Sequence, residues 1–298
     1  MRTCRRQTAT VTAVAAAVLG AVTLTACDAA VHGAPEPRNA SASGKPAPKP
    51  TVRWDTTPRS VAAVGDSITR GFDACSALAD CPKVSWSTGS DSDVHSLAVR
   101  LLGRRAADHS WNDAVTGARI EDLPGQLRKA AKHRPELVTV MIGANDACRD
   151  STSQMTSVEE FRAGFEKSLD TLRETLPKTE VYVASVPNLK RLWSQGRTSP
   201  LGKQIWKLGG ICPSMLADAD ARNTAANERR DKVQSRVVAY NKVLKEVCAT
   251  DALCRFDDDA VFDYRFSTAQ LSHWDWFHPS RDGQSRLAEI AYRKVTTD

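Results

Sequence analysis

The chain has 298 residues, 41% hydrophobic and 26% charged, and a formal net charge of +6. The basic residues are spread along the chain, with no zinc-finger spacing and no basic helix interleaved with aromatics, which argues against a nucleic-acid partner. Neither a Cys-x-x-Cys nor a His-x-x-x-His spacing occurs, so no metal site is expected.

Met1-Arg2-Thr3-Cys4-Arg5-Arg6 is basic, and an apolar Ala/Val/Leu stretch follows over 9–24, the pattern of an export signal. The stretch is short for a membrane span and ends in Leu24-Thr25-Ala26-Cys27, which resembles the lipobox of bacterial lipoproteins. That resemblance implies a signal peptide over 1–27, lipidation of Cys27 and contact with the membrane through the lipid anchor at the cell surface. Ordinary cleavage near Ala26 is the alternative and gives a freely secreted protein. Residues 28–58, rich in Ala, Pro, Ser and Lys, read as a flexible tether. Residues 59–298 then make one domain, without internal repeats and expected to be monomeric.

In that domain Val61-Ala62-Ala63-Val64 reads as a buried strand, with Gly65-Asp66-Ser67 where the strand ends and a helix begins. A serine there presents its hydroxyl at the top of a sheet, although the same tripeptide also suits a helix cap. A polar loop over 85–91 precedes a helix with Asp93 as N-cap and Val94, Leu97, Leu101 and Leu102 on one face. Residues 111–118 read as a short strand running into a loop, 123–131 as a helix, and 136–142 as a buried strand ending in Gly143-Ala144-Asn145-Asp146. Ser157-Val158-Glu159-Glu160 is a capping box opening a helix that turns Phe161, Phe165, Leu169, Leu172 and Leu176 inward, and Pro177 stops it. A strand follows over 180–186. Residues 189–230 have weak periodicity and read as an insertion able to lid the site. A helix over 231–247, a short strand near 253–256, the loop Asp275-Trp276-Phe277-His278-Pro279-Ser280 and a helix capped by Ser280 complete the chain. Strands alternating with helices imply a parallel sheet covered on both faces, with its ligand crevice at the carboxyl ends of the strands.

Six cysteines lie outside the leader: Cys75, Cys81, Cys148, Cys212, Cys248 and Cys254. An even number in an exported chain points to disulfides, and six allow 15 pairings that sequence does not separate. The expected set is Cys75 with Cys81 and Cys248 with Cys254, which close short loops, and Cys148 with Cys212.

Four stretches, Gly65-Asp66-Ser67, 112–117, Gly143-Ala144-Asn145-Asp146 and Asp275-x-x-His278-Pro279, resemble in order and spacing the SGNH hydrolases, also called the GDSL esterase/lipase family. The resemblance runs over 61–291. Residues 85–89, 112–118 with Asp122-Leu123-Pro124-Gly125-Gln126, and Asn145-Asp146-Ala147-Cys148 are similar to its phospholipase-B-like branch. It implies an α/β fold, the three-layer α/β/α SGNH-hydrolase (flavodoxin-like) arrangement around a central parallel sheet, and ester hydrolysis through an acyl-enzyme with no metal or other cofactor. Ser67 is then the nucleophile, His278 the base that takes its proton, and Asp275 the group that fixes the imidazole tautomer, a job left to a backbone carbonyl in some members. The resemblance assigns the oxyanion donors to the Ser67 N–H, the Gly117 N–H and the Asn145 side chain.

Singly, Gly117 also suits a turn, Asn145 a cap and His278-Pro279 the approach to a helix. His273, in the same loop as His278, is the competing base. Asp66 shapes the nucleophile turn, and Trp276 and Phe277 line an acyl pocket or pack in the core. The reading is an extracellular lipase or esterase, phospholipase-like, acting on a lipid ester. A carbohydrate O-acetylesterase and a non-catalytic surface lipoprotein are the alternatives.

Overall fold

The short apolar runs of the sequence become the strands of one sheet. In the computed structural model, which describes residues 53–297, β1 (Val61–Gly65), β2 (Ser110–Asn112), β3 (Leu137–Met141), β4 (Glu180–Val183) and β5 (Cys254–Phe256) are all parallel, in the order β2-β1-β3-β4-β5. This is the flavodoxin-like order. β1, β3 and β4 are buried along their whole length, which is why they read as mostly apolar runs, with Thr139 and Glu180 the polar exceptions, and not as alternations.

Register assigns the faces. Ala63, Thr139 and Tyr182 are successive partners across β1, β3 and β4. Thr139 meets the Ser87 hydroxyl at 2.7 Å, and Tyr182 meets Trp86 edge-on with ring centroids 6.2 Å apart. The helix Arg281–Thr296 covers this face: Gln284 accepts from the Trp86 N–H at 2.9 Å and donates to the Ile68 carbonyl at 2.8 Å. Alternation turns Val138, Val140, Val181 and Val183 to the opposite face, where Leu123–Ala130, Val158–Thr175 and Thr224–Cys248 pack on one another. The result is three layers, helices on both faces of a parallel sheet.

Local chemistry sets the helix ends. Ser157 and Glu160 form the capping box: the serine hydroxyl accepts the Glu160 N–H at 3.1 Å, and the Glu160 carboxylate accepts the Ser157 N–H at 3.0 Å. Phe161, Phe165, Leu169 and Leu172 are buried, while Leu176 is the C-cap, half-buried just before Pro177. Asp93 is not an N-cap. Its own N–H bonds the Asp91 carboxylate, His95 takes a φ of 51°, and the helix starts at Leu97 with Ser96 capping the Val99 N–H. A residue with positive φ between Asp93 and Leu97 prevents the earlier start.

The helix expected over 231–247 begins earlier, at Thr224, with Asn223 accepting the Ala226 N–H at 2.9 Å. Its first turns hide from a search for apolar periodicity because Arg230 points inward. The Arg230 guanidinium donates to the Asp218 and Ala221 carbonyls at 2.8 and 2.7 Å and lies 4.2 Å from the centroid of Trp193. The preceding segment is helical too, with Leu189–Gly196, Pro200–Gly209 and Pro213–Leu216.

Disulfides join Cys75 to Cys81, Cys148 to Cys212, and Cys248 to Cys254. At the N-terminal side the packed domain reaches back into the expected tether: the Trp54 indole N–H donates to the Val295 carbonyl at 2.9 Å. The expected signal peptide over 1–27 with Cys27, and residues 28–52 of the expected tether, lie outside the described residues. Among the described residues no helix is long and apolar enough to cross a membrane.

The Cys148–Cys212 link closes the longest of the three loops, a separation of 64 residues, and Ser214 reinforces it by donating its hydroxyl to the Ala147 carbonyl at 2.9 Å. Replacing both cysteines with serine is expected to lower the unfolding free energy by about 2–4 kcal/mol, measured by urea denaturation. An unchanged midpoint would show that the link constrains nothing.

Candidate active site

The site starts from a glycine. β1 ends at Gly65 with φ 141°, and a Cβ there would lie 2.2 Å from the Met141 carbonyl oxygen, so any other residue would push β1 off β3. Gln126 clamps this residue from the side, accepting its N–H at 2.7 Å and donating to its carbonyl at 2.9 Å. Asp66 then accepts the Ile68 N–H at 2.9 Å, which starts the short helix Ser67–Arg70. Ser67 is its first residue, buried at the carboxyl end of β1.

The partner loop folds around Asp275. One carboxylate oxygen accepts the backbone N–H groups of Phe277 and His278 at 2.9 and 3.0 Å. The other stands 2.5 Å from His278 Nδ1, and His278 Nε2 stands 2.8 Å from the Ser67 hydroxyl oxygen. Trp276 makes the tight turn with φ 50°, and the Trp206 indole N–H holds the Asp275 carbonyl at 2.8 Å. The Ser272 N–H donates to the His278 carbonyl at 2.7 Å and closes the loop.

The electrostatics follow from burial and pairing. Burial pushes Asp275 toward its neutral form, but the His278 hydrogen bond and charge, with the two backbone N–H groups, overcome this and hold its carboxyl below the usual range. Burial opposes charging of His278, yet the hydrogen bond and charge of Asp275, with the charges of Asp66 and Asp73 behind, raise its pKa above 6.5. With Nδ1–H given to Asp275, the neutral ring keeps its lone pair on Nε2, facing the serine hydroxyl. Asp66 is pushed up to about 7, chiefly by burial.

His273, the competing base, sits exposed on the outer side of the loop with its ring 4.4 Å from that of Trp274. Asp73, Asp275 and His278 bring carboxylate and ring atoms within 4.8 Å of one another, as a metal set would. Both His278 nitrogens are already committed, to Asp275 and Ser67, so the trio reads as a hydrogen-bonded relay.

Ser67, His278 and Asn145 line one narrow cavity of about 40 Å³. Its other walls are apolar, with Ile68, Leu189, Leu192, Phe266, Leu271 and Phe277 prominent. Phe277 therefore lines the cavity, whereas the Trp276 ring packs where a Cβ on Gly202 would sit. The Asn145 amide donates to the Ala118 carbonyl at 3.0 Å. Gly117, next along the chain, is exposed at φ 83° and lines a separate depression with Val115, Thr116 and Gln126. The structure thus brings Ser67, Asp275, His278 and Asn145 together and leaves Gly117 beside them, outside the cavity lining. Asp146 ties the two loops, accepting the Thr156 hydroxyl at 2.7 Å and the Ile120 N–H at 3.1 Å.

Sequence reasoning missed Gln126 as a clamp, Asp146 as a brace and Asp73 behind Asp275. For Asp146 the adjacency to Asn145 was the available signal; for the other two only the fold reveals the contact.

Comparison with known proteins extends this geometry. Residues 61–291 match the family model of the GDSL-like lipases/acylhydrolases. The chain is 30% identical over 226 residues to the membrane-associated phospholipase B1 of Homo sapiens, covering 62% of this chain and 15% of that protein. Against the Mus musculus protein of the same name the values are 26% over 199 residues, 54% and 13%. The chain therefore spans a small part of the length of these curated relatives. Among solved structures, an alpha/beta hydrolase from the metagenome of Lake Arreo, Spain, superposes with a TM-score of 0.49 at 18% identity, covering 80% of this chain and 97% of that one. Phospholipase A1 from Streptomyces albidoflavus NA297 gives 0.44 at 18% identity, with 80% and 100% covered. Because the family match takes in every strand of the sheet and both ends of the Ser67–His278 contact, the chain belongs to the GDSL-like lipase/acylhydrolase family of ester hydrolases.

Proposed function

We propose that Ser67 attacks an ester carbonyl while His278 Nε2 takes its proton, that the collapse of the tetrahedral intermediate returns this proton to the leaving alkoxide, and that water then hydrolyses the Ser67 acyl-enzyme by the reverse relay. Asp275 holds the ring in the productive tautomer and stabilises the imidazolium that forms. The observation that carries this reading is the unbroken line from Ser67 Oγ through His278 to Asp275, with contacts of 2.8 and 2.5 Å. We assign the oxyanion to the Ser67 N–H, the Asn145 amide and the Gly117 N–H. Asn145 already shares the cavity with Ser67, and Gly117 adjoins the carbonyl that Asn145 holds.

We assign the acyl group to the apolar cavity, and a lipid ester as substrate. The walls support this, as does the similarity to proteins named phospholipase B1. Leu189 and Leu192 make the 189–230 segment one wall of the acyl site. A second reading, an O-acetylesterase acting on glycans, draws on the same cavity, because 40 Å³ admits only a few water-sized groups. Three disulfides support export, and lipidation of Cys27 would tether a monomeric enzyme at the cell surface.

Ser67→Ala is expected to reduce turnover of p-nitrophenyl esters by at least about 10⁴-fold, with far-UV circular dichroism and Tm unchanged. Retained turnover would remove Ser67 from the mechanism. In the wild type, rates rising from acetate through longer acyl chains support the lipid assignment, and activity confined to acetate supports the glycan one. Only neutral His278 can accept the serine proton, and its pKa is raised, so kcat/KM is expected to fall as pH drops through a midpoint above 6.5. A plateau continuing below that pH would contradict His278 as the base.

A further inference from the structure

A second carboxyl stands behind the relay. Asp73 is 2% exposed, and its carboxylate lies with that of Asp275 and the His278 ring nitrogen inside the 4.8 Å cluster. Its position is built from several sides. Asp73 adopts φ 55° two residues before the Cys75–Cys81 disulfide loop, and its N–H donates to the Ala79 carbonyl of that loop at 3.0 Å. One carboxylate oxygen accepts the Leu78 N–H, and its backbone carbonyl accepts the Ser272 hydroxyl at 2.6 Å. Ser272 also accepts the Trp274 N–H at 3.1 Å, so it fastens the Asp73 loop to the loop bearing Asp275 and His278. The neighbouring Phe72 ring rests 5.0 Å from the His278 ring.

Building on the relay proposed above, we infer that Asp73 is a positioning residue that shares a proton with Asp275 and thereby sets how tightly His278 holds its own. Two carboxyls buried side by side lose their protons in succession, the second at higher pH. Asp275 accepts two backbone N–H groups and the imidazole, so it keeps the charge. Asp73 accepts one N–H, so it keeps its proton longer and, until it ionises, donates it toward Asp275. Burial and the nearby Asp275 push Asp73 up to about 6, below the raised value of His278, so Asp73 is charged where His278 titrates.

Asp66 also acts on His278, and it is unchanged in an Asp73 variant. Asp66 faces His278 from the nucleophile turn, and Asp80, on the Asp73 loop, is engaged outward by Arg70 and Thr116. Once Asp73 ionises, a second negative charge stands near His278 and the imidazolium holds its proton to higher pH.

The test is Asp73→Asn, whose side chain tolerates the left-handed backbone and still donates to Asp275 but carries no charge. His278 is titrated by NMR of its ring protons, and kcat/KM is measured over the same pH range. The expected result is a fall of about 1 pH unit in both midpoints. Asp73→Ala, which removes the same charge, is expected to lower both midpoints by a similar amount. A His278 midpoint in Asp73→Asn equal to that of the parent would overturn the inference, because a merely structural Asp73 would alter kcat or Tm and leave the titration alone. Activity in the parent that does not follow the His278 titration would instead overturn the relay on which the inference rests.

Discussion

The tightest constraint in the molecule is the contact between Gly65 and the carbonyl of Met141. β1 and β3 pair along their full length, and at their carboxyl ends the backbones come so close that no Cβ fits. That approach turns the chain sharply out of β1, and Ser67 follows two residues later. Gln126 saturates both polar groups of Gly65, so the turn is buried without an orphaned backbone group. The same end of the sheet receives Asn145 after β3 and the Pro187–Leu189 wall after β4. The parallel sheet gives these loops one common side, which is why residues far apart in the chain meet.

A second feature is the concentration of buried acid around the serine. Asp66, Asp73, Asp146 and Asp275 are all buried, and the first three are raised to about 7, about 6 and about 6, each chiefly by burial. A carboxyl with a raised folded-state pKa binds more protons folded than unfolded, so these three oppose folding increasingly as pH climbs from about 4 to their folded values. Asp275 acts in the opposite sense, because its lowered pKa contributes stability that is lost only as pH falls through that value. The cluster is poor for stability at neutral pH and good for chemistry. Asp66, Asp73 and Asp275 put negative potential on the imidazole, which in the proposed relay favours the charge that His278 would gain from Ser67.

Much of this was legible in the sequence because it lies at the ends of hydrophobic runs. Ser67, Asn145 and the Asp275–His278 pair each follow such an end or a recognisable loop, and the capping box at Ser157 announces its helix directly. What stayed hidden depends on contacts between loops. Asp73 gains its meaning only when Ser272 joins its loop to that of His278, a pairing across 199 residues. Arg230 interrupts the apolar pattern of its helix because its charge is satisfied by carbonyls of a preceding loop. The three short helices over 189–216, broken by glycines and prolines, carry too few turns for periodicity to show. Gly117 was assigned by resemblance, and its place beside the cavity reflects a local loop geometry that spacing does not encode.

The central claim is that Ser67 is a nucleophile activated by His278. Its most direct test is intact-mass and peptide-mapping analysis of the protein after exposure to a fluorophosphonate ester, alongside the His278→Ala variant. The account predicts one adduct per chain, on Ser67, formed rapidly in the wild type and hardly at all in the variant. An unmodified protein, an adduct on another residue, or equal labelling without His278 would contradict it.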